Sequence, residues 1–352
     1  MFLRSQKLDR SRIRRYTRRP LPGESRVTVC VAAICADGTS IVGASDKMLT
    51  SGGQQFQPPE RKAFQFTPSI IGMYSGNTGF LWVIMNDVLA EVRARAAADA
   101  TLRFEVSEVA YLFQAFYNQA VTRLVNQNVL SRFGLTVATF RKAQRQMDKW
   151  LVRSLAEQIL AYQPPAISAL ILGMDDWGAH IYQFENGGGY GAGDVHCRDS
   201  VGFGTIGAGD EHAETQLIRE NYHPSHSLPH AMFLVYLAKK RAEIVTGVGP
   251  FTDMFYYVPK AGTPGVYQIM STEDKTRLDT FYRQMFQSEG RAMSQALSAT
   301  TAWHASLAPL PPPPSGPSGP ITLGTIHDAH LSFGSSEESG GPTGPTGGPD
   351  AP

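Results

Sequence analysis

Strand signals that come as adjacent hairpins, interrupted by one long helical block, constrain this chain more than any other feature. VTVCVAAIC (27–35) turns at Asp37-Gly38 and returns as TSIVGA, and residues 64–75 read as two further short strands broken at Pro68. Over residues 78–95 apolar side chains recur at helical spacing (Phe80, Val83, Ile84, Val88, Leu89, Val92). Residues 105–126 repeat the pattern through Val109, Leu112, Phe113, Phe116 and Val121. A third helical stretch, 136–162, carries Phe140, Met147, Trp150, Leu151 and Leu155 and ends at Pro164-Pro165. Strands then resume. ISALILGMDD and GAHIYQFEN form a hairpin around Asp176-Trp177-Gly178, a glycine-rich turn follows at 187–193, and VGFGTIGAGD is a strand entering a second glycine turn. Helices are expected over 211–221 and from an N-cap at Ser227, with Pro229 early in the helix, through Lys240 and Arg241. FTDMFYYVP and GVYQIM close the core, and 271–304 reads as helix. Hairpins impose antiparallel pairing, whereas a doubly wound parallel sheet needs a crossover after each strand. The order therefore predicts an α+β fold with two antiparallel sheets between helical layers.

Both ends of the chain stand apart in composition. Arg4, Lys7, Arg10, Arg12, Arg14, Arg15, Arg18 and Arg19 crowd residues 1–26, which lack apolar periodicity and read as a basic flexible leader. From about residue 307, PLPPPPSGPSGP and GPTGPTGGPDAP form a Pro/Gly/Ser-rich tail expected to be disordered. What remains is a core at 27–270, with a helical insertion near 127–162, and a helical extension at 271–306. The net charge of +1 gives no overall electrostatic reason for a nucleic-acid or membrane partner. Cys30, Cys35 and Cys197 have no paired spacing, which fits a reducing compartment. No apolar run of about 18 residues suggests a membrane span, and the leader lacks the apolar stretch of a secretory signal. Cytoplasm is the expected location.

The chemistry is concentrated near the front. Thr28 opens the first strand, Asp46 follows the second, Lys62 sits in RKAFQF and Gly76 in GMYSGN. Lys62 lies 16 positions after Asp46, and Gly76 lies 14 after Lys62. With TVCVAAICADG, IVGASDKMLT, and GTIGAG before a helix, these segments resemble the proteasome β-subunit family of N-terminal-nucleophile (Ntn) hydrolases, including the simpler bacterial self-compartmentalising peptidases. The likeness covers residues 27–260. It implies a four-layer α-β-β-α sandwich of two antiparallel sheets. It also implies a threonine-type peptidase or amidohydrolase that assembles with copies of itself, in a ring in many members, and acts on peptides or proteins.

The implied roles are specific. Thr28 would be the nucleophile, exposed as the first residue by removal of the leader, with its own α-amine as general base. Lys62, held by Asp46, would favour the ionised hydroxyl and the free amine through its positive charge. The Gly76 amide would face the developing oxyanion. No cofactor and no metal ion belongs to this chemistry, and an ATPase partner is left open.

Several positions depart from the family pattern. Val27 precedes Thr28 where a small residue is usual, and the stretch from Thr28 to Asp46 is longer than in the family, which also permits Val27 at the nucleophile position. Ala208 replaces the serine of the glycine turn 205–209, and Val245-Thr246-Gly247-Val248-Gly249 lacks the polar groups of the family's Asp-x-x-Ser-Gly stretch. The alternative is a catalytically inactive scaffold subunit in a homo-oligomer. Each residue also has a plainer reading: Thr28 as an ordinary strand residue unless the leader is removed, Asp46 as a turn residue or helix-like cap, and Lys62 as a solvated edge lysine. His223, His226 and His230 in NYHPSHSLPH read as surface histidines, since no cysteine or fourth ligand accompanies them. GGGYGAG at 187–193 is no nucleotide cradle, because no Lys-Ser/Thr follows at P-loop spacing.

Overall fold

A computed structural model describes residues 28–51, 54–56, 61–186, 189–191, 193–260 and 263–307. The arginine-rich leader, Val27 and the tail beyond Leu307 lie outside the described residues. In chain order the elements are β1 (Val29–Cys35), β2 (Ser40–Asp46), β3 (Leu49–Ser51), β4 (Gln54–Phe56), β5 (Ala63–Thr67), β6 (Ile70–Gly76), α1 (Thr78–Ala98) and α2 (Val106–Val125). After one π turn (Asn126–Leu130) and one 3-10 turn (Ser131–Phe133) come α3 (Val137–Ala143), α4 (Lys149–Ala161), β7 (Ile167–Asp175) and β8 (Gly178–Asn186). The rest are β9 (Gly193–Cys197), β10 (Phe203–Gly207), α5 (Asp210–Arg219), α6 (Leu228–Ala242), β11 (Thr252–Lys260), β12 (Thr263–Ile269) and α7 (Thr272–Ser306).

The fold is α+β, with two five-stranded antiparallel sheets. One has the order β10-β1-β2-β11-β12 and the other β5-β6-β7-β8-β9, while β3 and β4 form a small separate hairpin. The β1–β2 turn places Ala36, Asp37 and Gly38 all at positive φ (52°, 54° and 82°), the left-handed backbone region whose turns match the right-handed twist of hairpin strands. Its register pairs Cys30 with Ser45 and Cys35 with Ser40.

β1 is buried along its whole length, and the alternation of side chains sends its two faces into different cores. Cys30, Ala32 and Ile34 join Ile41, Phe255 and Tyr257 of their own sheet and Ile71, Met73, Leu170, Leu172 and Ile181 of the other. Val29, Val31 and Ala33 join Leu234, Val235, Leu237 and Ala238 of α6. The second sheet contributes Ile70, Ile171 and Phe184 to a third cluster with the apolar faces of α1, α2 and α4. Space in the inter-sheet core is tight at Gly43, where an added Cβ would stand 2.1 Å from Phe255 Cζ. Gly43→Ala is expected to displace that ring and cost about 1–3 kcal/mol, read as a lower urea midpoint at unchanged slope.

Three features differ from the sequence reading. The single helical stretch expected at 136–162 is two helices. The Asp148 side chain accepts the Trp150 and Leu151 amides at 2.8 and 3.2 Å and so starts a new helix, while Thr136 and Thr139 cap the earlier one reciprocally. β9 lies where only the end of a turn was expected; most of its side chains face solvent, which removes the apolar alternation that marks a strand. Ser227 stands at the N-cap of α6, but its hydroxyl makes no capping bond.

The chain divides into two compact units, Met1–Arg291 and Ala292–Pro352. The first takes in the start of α7, where the Tyr236 hydroxyl donates to Asp279 at 3.0 Å and Arg241 pairs with Glu289. Among the described residues no helix is long and apolar enough to cross a membrane.

Candidate active site

Thr28 sits immediately before β1, 2 % exposed, with the parity of Cys30 and Ala32, so its side chain belongs to the face that meets the other sheet. Lys62, immediately before β5, donates from Nζ to Thr28 Oγ1 and, at 2.9 Å, to Asp46 Oδ1. Asp46 is the last residue of β2. Its Oδ1 also accepts the Val29 amide at 3.0 Å, and its Oδ2 accepts the amides of Met48 and Gly249, each at 3.0 Å. The carboxylate thus receives two donors on each oxygen while 0 % exposed, and its lysine partner is 3 % exposed. A buried ion pair persists only when its groups find further partners, and here both carboxylate oxygens are doubly hydrogen-bonded while the ammonium has Thr28 Oγ1 as a second acceptor. The plainer reading of Lys62 as a solvated edge lysine does not hold, because its side chain is buried.

Three of the four residues expected from sequence are therefore joined in one hydrogen-bonded row. Gly76 is near but outside it. It ends β6 at φ +103°, and a Cβ there would stand 2.2 Å from the Ala166 carbonyl oxygen, so glycine is required by both conformation and space. The next residue, Asn77, caps α1 by accepting the Phe80 amide at 2.9 Å. The preceding residue, Ser75, ties this strand end to Thr28. A Cβ on Gly207 (φ +107°) would meet the Thr28 carbonyl oxygen at 2.2 Å and Ser75 Oγ at 3.2 Å, so both groups flank the same glycine. Ser75 Oγ is buried and has no hydrogen-bond partner among the described residues.

Sequence reasoning missed four contributors. Gly249 belongs to the segment read as stripped of polar groups, and its side-chain chemistry is indeed absent; its backbone amide, however, reaches Asp46. Lys239 of α6, 0 % exposed, donates to the Gly249 carbonyl at 2.8 Å and to Glu243 at 2.5 Å. Burial pulls its ammonium down to about 8, against the opposing pull of Glu243. Ser75 is the third. Cys30 is the fourth: its Sγ lies 3.5 Å from the Tyr74 carbonyl, and burial pushes its thiol up to about 12 although Lys62 acts in the opposite sense. A thiol held protonated in this way is a poor nucleophile.

The three histidines of the 223–230 segment are engaged locally. His223 Nδ1 lies 2.8 Å from Ser225 Oγ, and the rings of His226 and His230 are 4.2 Å apart. Among the described residues no group of three His, Cys, Asp or Glu side chains is arranged to hold a metal ion. Parts of the 187–193 turn lie outside the described residues.

Chemically, the row places a buried ammonium against a hydroxyl and anchors that ammonium on a fully hydrogen-bonded carboxylate. Such a cation stabilises negative charge on the hydroxyl oxygen as it attacks. No protein-family model matches this chain, and no match to a curated protein is found.

Proposed function

We propose that this protein is a proteasome-like Ntn hydrolase, a threonine-type peptidase or amidohydrolase built as a four-layer α-β-β-α sandwich. The observation that carries the reading is Lys62 Nζ hydrogen-bonded to both Thr28 Oγ1 and Asp46 Oδ1 in a buried site. With residues 1–27 removed, the Thr28 amine takes the proton of its own hydroxyl and Oγ1 attacks the substrate carbonyl carbon. Lys62 offsets the charge on Oγ1, and the Gly76 amide donates to the carbonyl oxygen as it becomes an oxyanion. The C–N bond breaks, the leaving amine receives the proton, and an ester to Thr28 remains. Water then adds to that ester under the same amine base and releases the acid. Self-association through the helical layers and residence in the cytoplasm belong to the same reading; the three cysteines are free, as a reducing compartment requires.

One observation favours a second reading, an inactive scaffold subunit. Ala208 and Val248 bring no hydroxyl or carboxylate to support a terminal amine, and Val248 is instead 7 % exposed in the core beside α6.

Intact mass separates the two. Loss of residues 1–27 in the wild-type protein, with the full-length mass retained by Thr28→Ala and Lys62→Ala, is the expected result. The companion measurement uses the chain expressed to begin at Thr28, where Lys62→Ala should lower peptide hydrolysis by about 10²-fold or more. A full-length mass in all three proteins, together with no hydrolysis by the chain beginning at Thr28, would leave the scaffold reading standing.

A further inference from the structure

α6 turns an apolar face to the first sheet, with Ala231, Leu234, Val235, Ala238 and Ala242 packed there, yet fully buried Lys239 belongs to the same face. An apolar residue of similar length would fill this place without the cost of desolvating a charge. The lysine has two acceptors, Glu243 Oε1 at 2.5 Å and the Gly249 carbonyl at 2.8 Å. Gly249 hands the interaction on, because its own amide donates to Asp46 Oδ2 at 3.0 Å. The approach is close on every side: a Cβ on Gly249 would stand 3.0 Å from Met48 Cβ and 3.4 Å from Asp46 Oδ2. Glu243 is steadied in turn by Lys240 at 2.6 Å. One continuous row therefore runs from Glu243 through Lys239, Gly249, Asp46 and Lys62 to the Thr28 hydroxyl.

We propose that Lys239 is a positioning residue of the Thr28 site: by holding Gly249 it sets the Gly249 amide on Asp46 and so orients the carboxylate that keeps Lys62 against Thr28. This rests on the hydrolase reading above. Lys239 touches neither Thr28 nor Lys62 directly and acts through Asp46. The groups facing it are Glu243 and Lys240 on its own helix, the Gly249 carbonyl from the following loop and, through the field, Asp46 of β2. Burial outweighs the two carboxylates, so the ammonium loses its proton at about 8. As pH rises past that point the charged donor becomes a neutral amine, its hold on Gly249 weakens, and the site loses its alignment.

The test uses Lys239→Met, Lys239→Arg and Glu243→Gln beside wild type. Amide hydrogen exchange on the full chain reads Gly249 and Met48, the two amides on Asp46 Oδ2, with the amides of the β7–β8 pair as a control for intact fold. In Lys239→Met the Gly249 amide should exchange about tenfold faster or more, the loss of a hydrogen bond from a charged donor, while the control amides hold. Peptide hydrolysis by the chain beginning at Thr28 supplies the second readout. Activity should fall in wild type as pH passes about 8. That limb should move to higher pH in Lys239→Arg, whose guanidinium does not titrate there, and to lower pH in Glu243→Gln, which removes the charge that helps keep Lys239 protonated. Opposite movements of one limb are not produced by a purely structural lysine. Unchanged Gly249 exchange in Lys239→Met, or a limb that stays in place in both other variants, overturns the proposal. If wild type hydrolyses nothing, the hydrolase reading fails by itself, and the exchange result alone decides whether Lys239 holds Gly249 on Asp46.

Discussion

Asp46→Ala is expected to lower the stability of the folded chain by about 3–5 kcal/mol, the range for removing one partner from a buried ion pair. The truncation strands more than a charge. Lys62 would keep its ammonium 3 % exposed with only the Thr28 hydroxyl for company, and the amides of Val29, Met48 and Gly249 would all lose their acceptor. Asp46→Asn keeps the shape and one oxygen but turns an NH2 group toward two donors, so a smaller loss of about 1–3 kcal/mol is expected. Urea unfolding of the three proteins makes the comparison. The exposed pair Arg153–Glu157, at 82 % and 66 % side-chain exposure, provides the contrast. Breaking it should cost no more than about 0.5 kcal/mol, because water already solvates both partners. An Asp46→Ala protein within about 1 kcal/mol of wild type would mean that Lys62 is not held as an ammonium in the fold, and the catalytic reading would lose its electrostatic basis.

The parts of the fold that were legible in the sequence are those where local chemistry and burial agree. β1 carries apolar residues throughout because both of its faces are covered, β2 is apolar at its centre and buried along its length, and Ala36-Asp37-Gly38 supplies a turn with positive φ at all three positions. β7 is readable for the same reason, and β8 by the alternation of buried and less buried residues along it. β9 is not, since its side chains are mostly exposed and carry no alternation, and the same is true in kind of the break between α3 and α4, which depends on one capping aspartate, Asp148. A cap is a single residue inside a periodic pattern, and the pattern dominates the reading.

The site divides along a different line. Asp46 and Lys62 were legible because their chemistry resides in side chains at telling separations. Gly249 was not, because an amide donor has no letter of its own, and a loop judged by its side chains looks empty. Lys239 left a fainter signal. It lies four residues after Val235 and three before Ala242, which puts it on the buried face of α6. The neighbouring Lys240 and Arg241 disguised it as part of a solvated basic helix end, a place where cations are favoured in any case.

Lys239 also makes the stability of the protein depend on pH in a window that can be isolated. Its pKa is about 8 in the fold against 10.5 for a free lysine, with burial as the main cause. Between those values the unfolded chain binds a proton that the folded chain has released, so unfolding free energy rises with pH there. Below about pH 8 both states are protonated and the full cost of burying the ammonium is present; above 10.5 both are neutral and the cost is gone. The difference of roughly 2.5 pH units is worth about 3 kcal/mol. Other buried groups act in the opposite sense and start later. Cys30 and Cys35 are pushed from 9.0 up to about 12, so above pH 9 the unfolded chain is the one that gives up protons and stability falls. Buried Tyr222 and Tyr257, raised from 10.0 by desolvation, add to that fall above pH 10. Subtracting the Lys239→Met protein removes these shared contributions and leaves the lysine alone. The wild-type minus variant difference in unfolding free energy should be flat up to about pH 8, then climb by about 3 kcal/mol by pH 10.5. A difference that stays flat throughout would mean that Glu243 and the Gly249 carbonyl solvate the ammonium as well as water does, and that Lys239 sits on the buried face of α6 at no electrostatic cost.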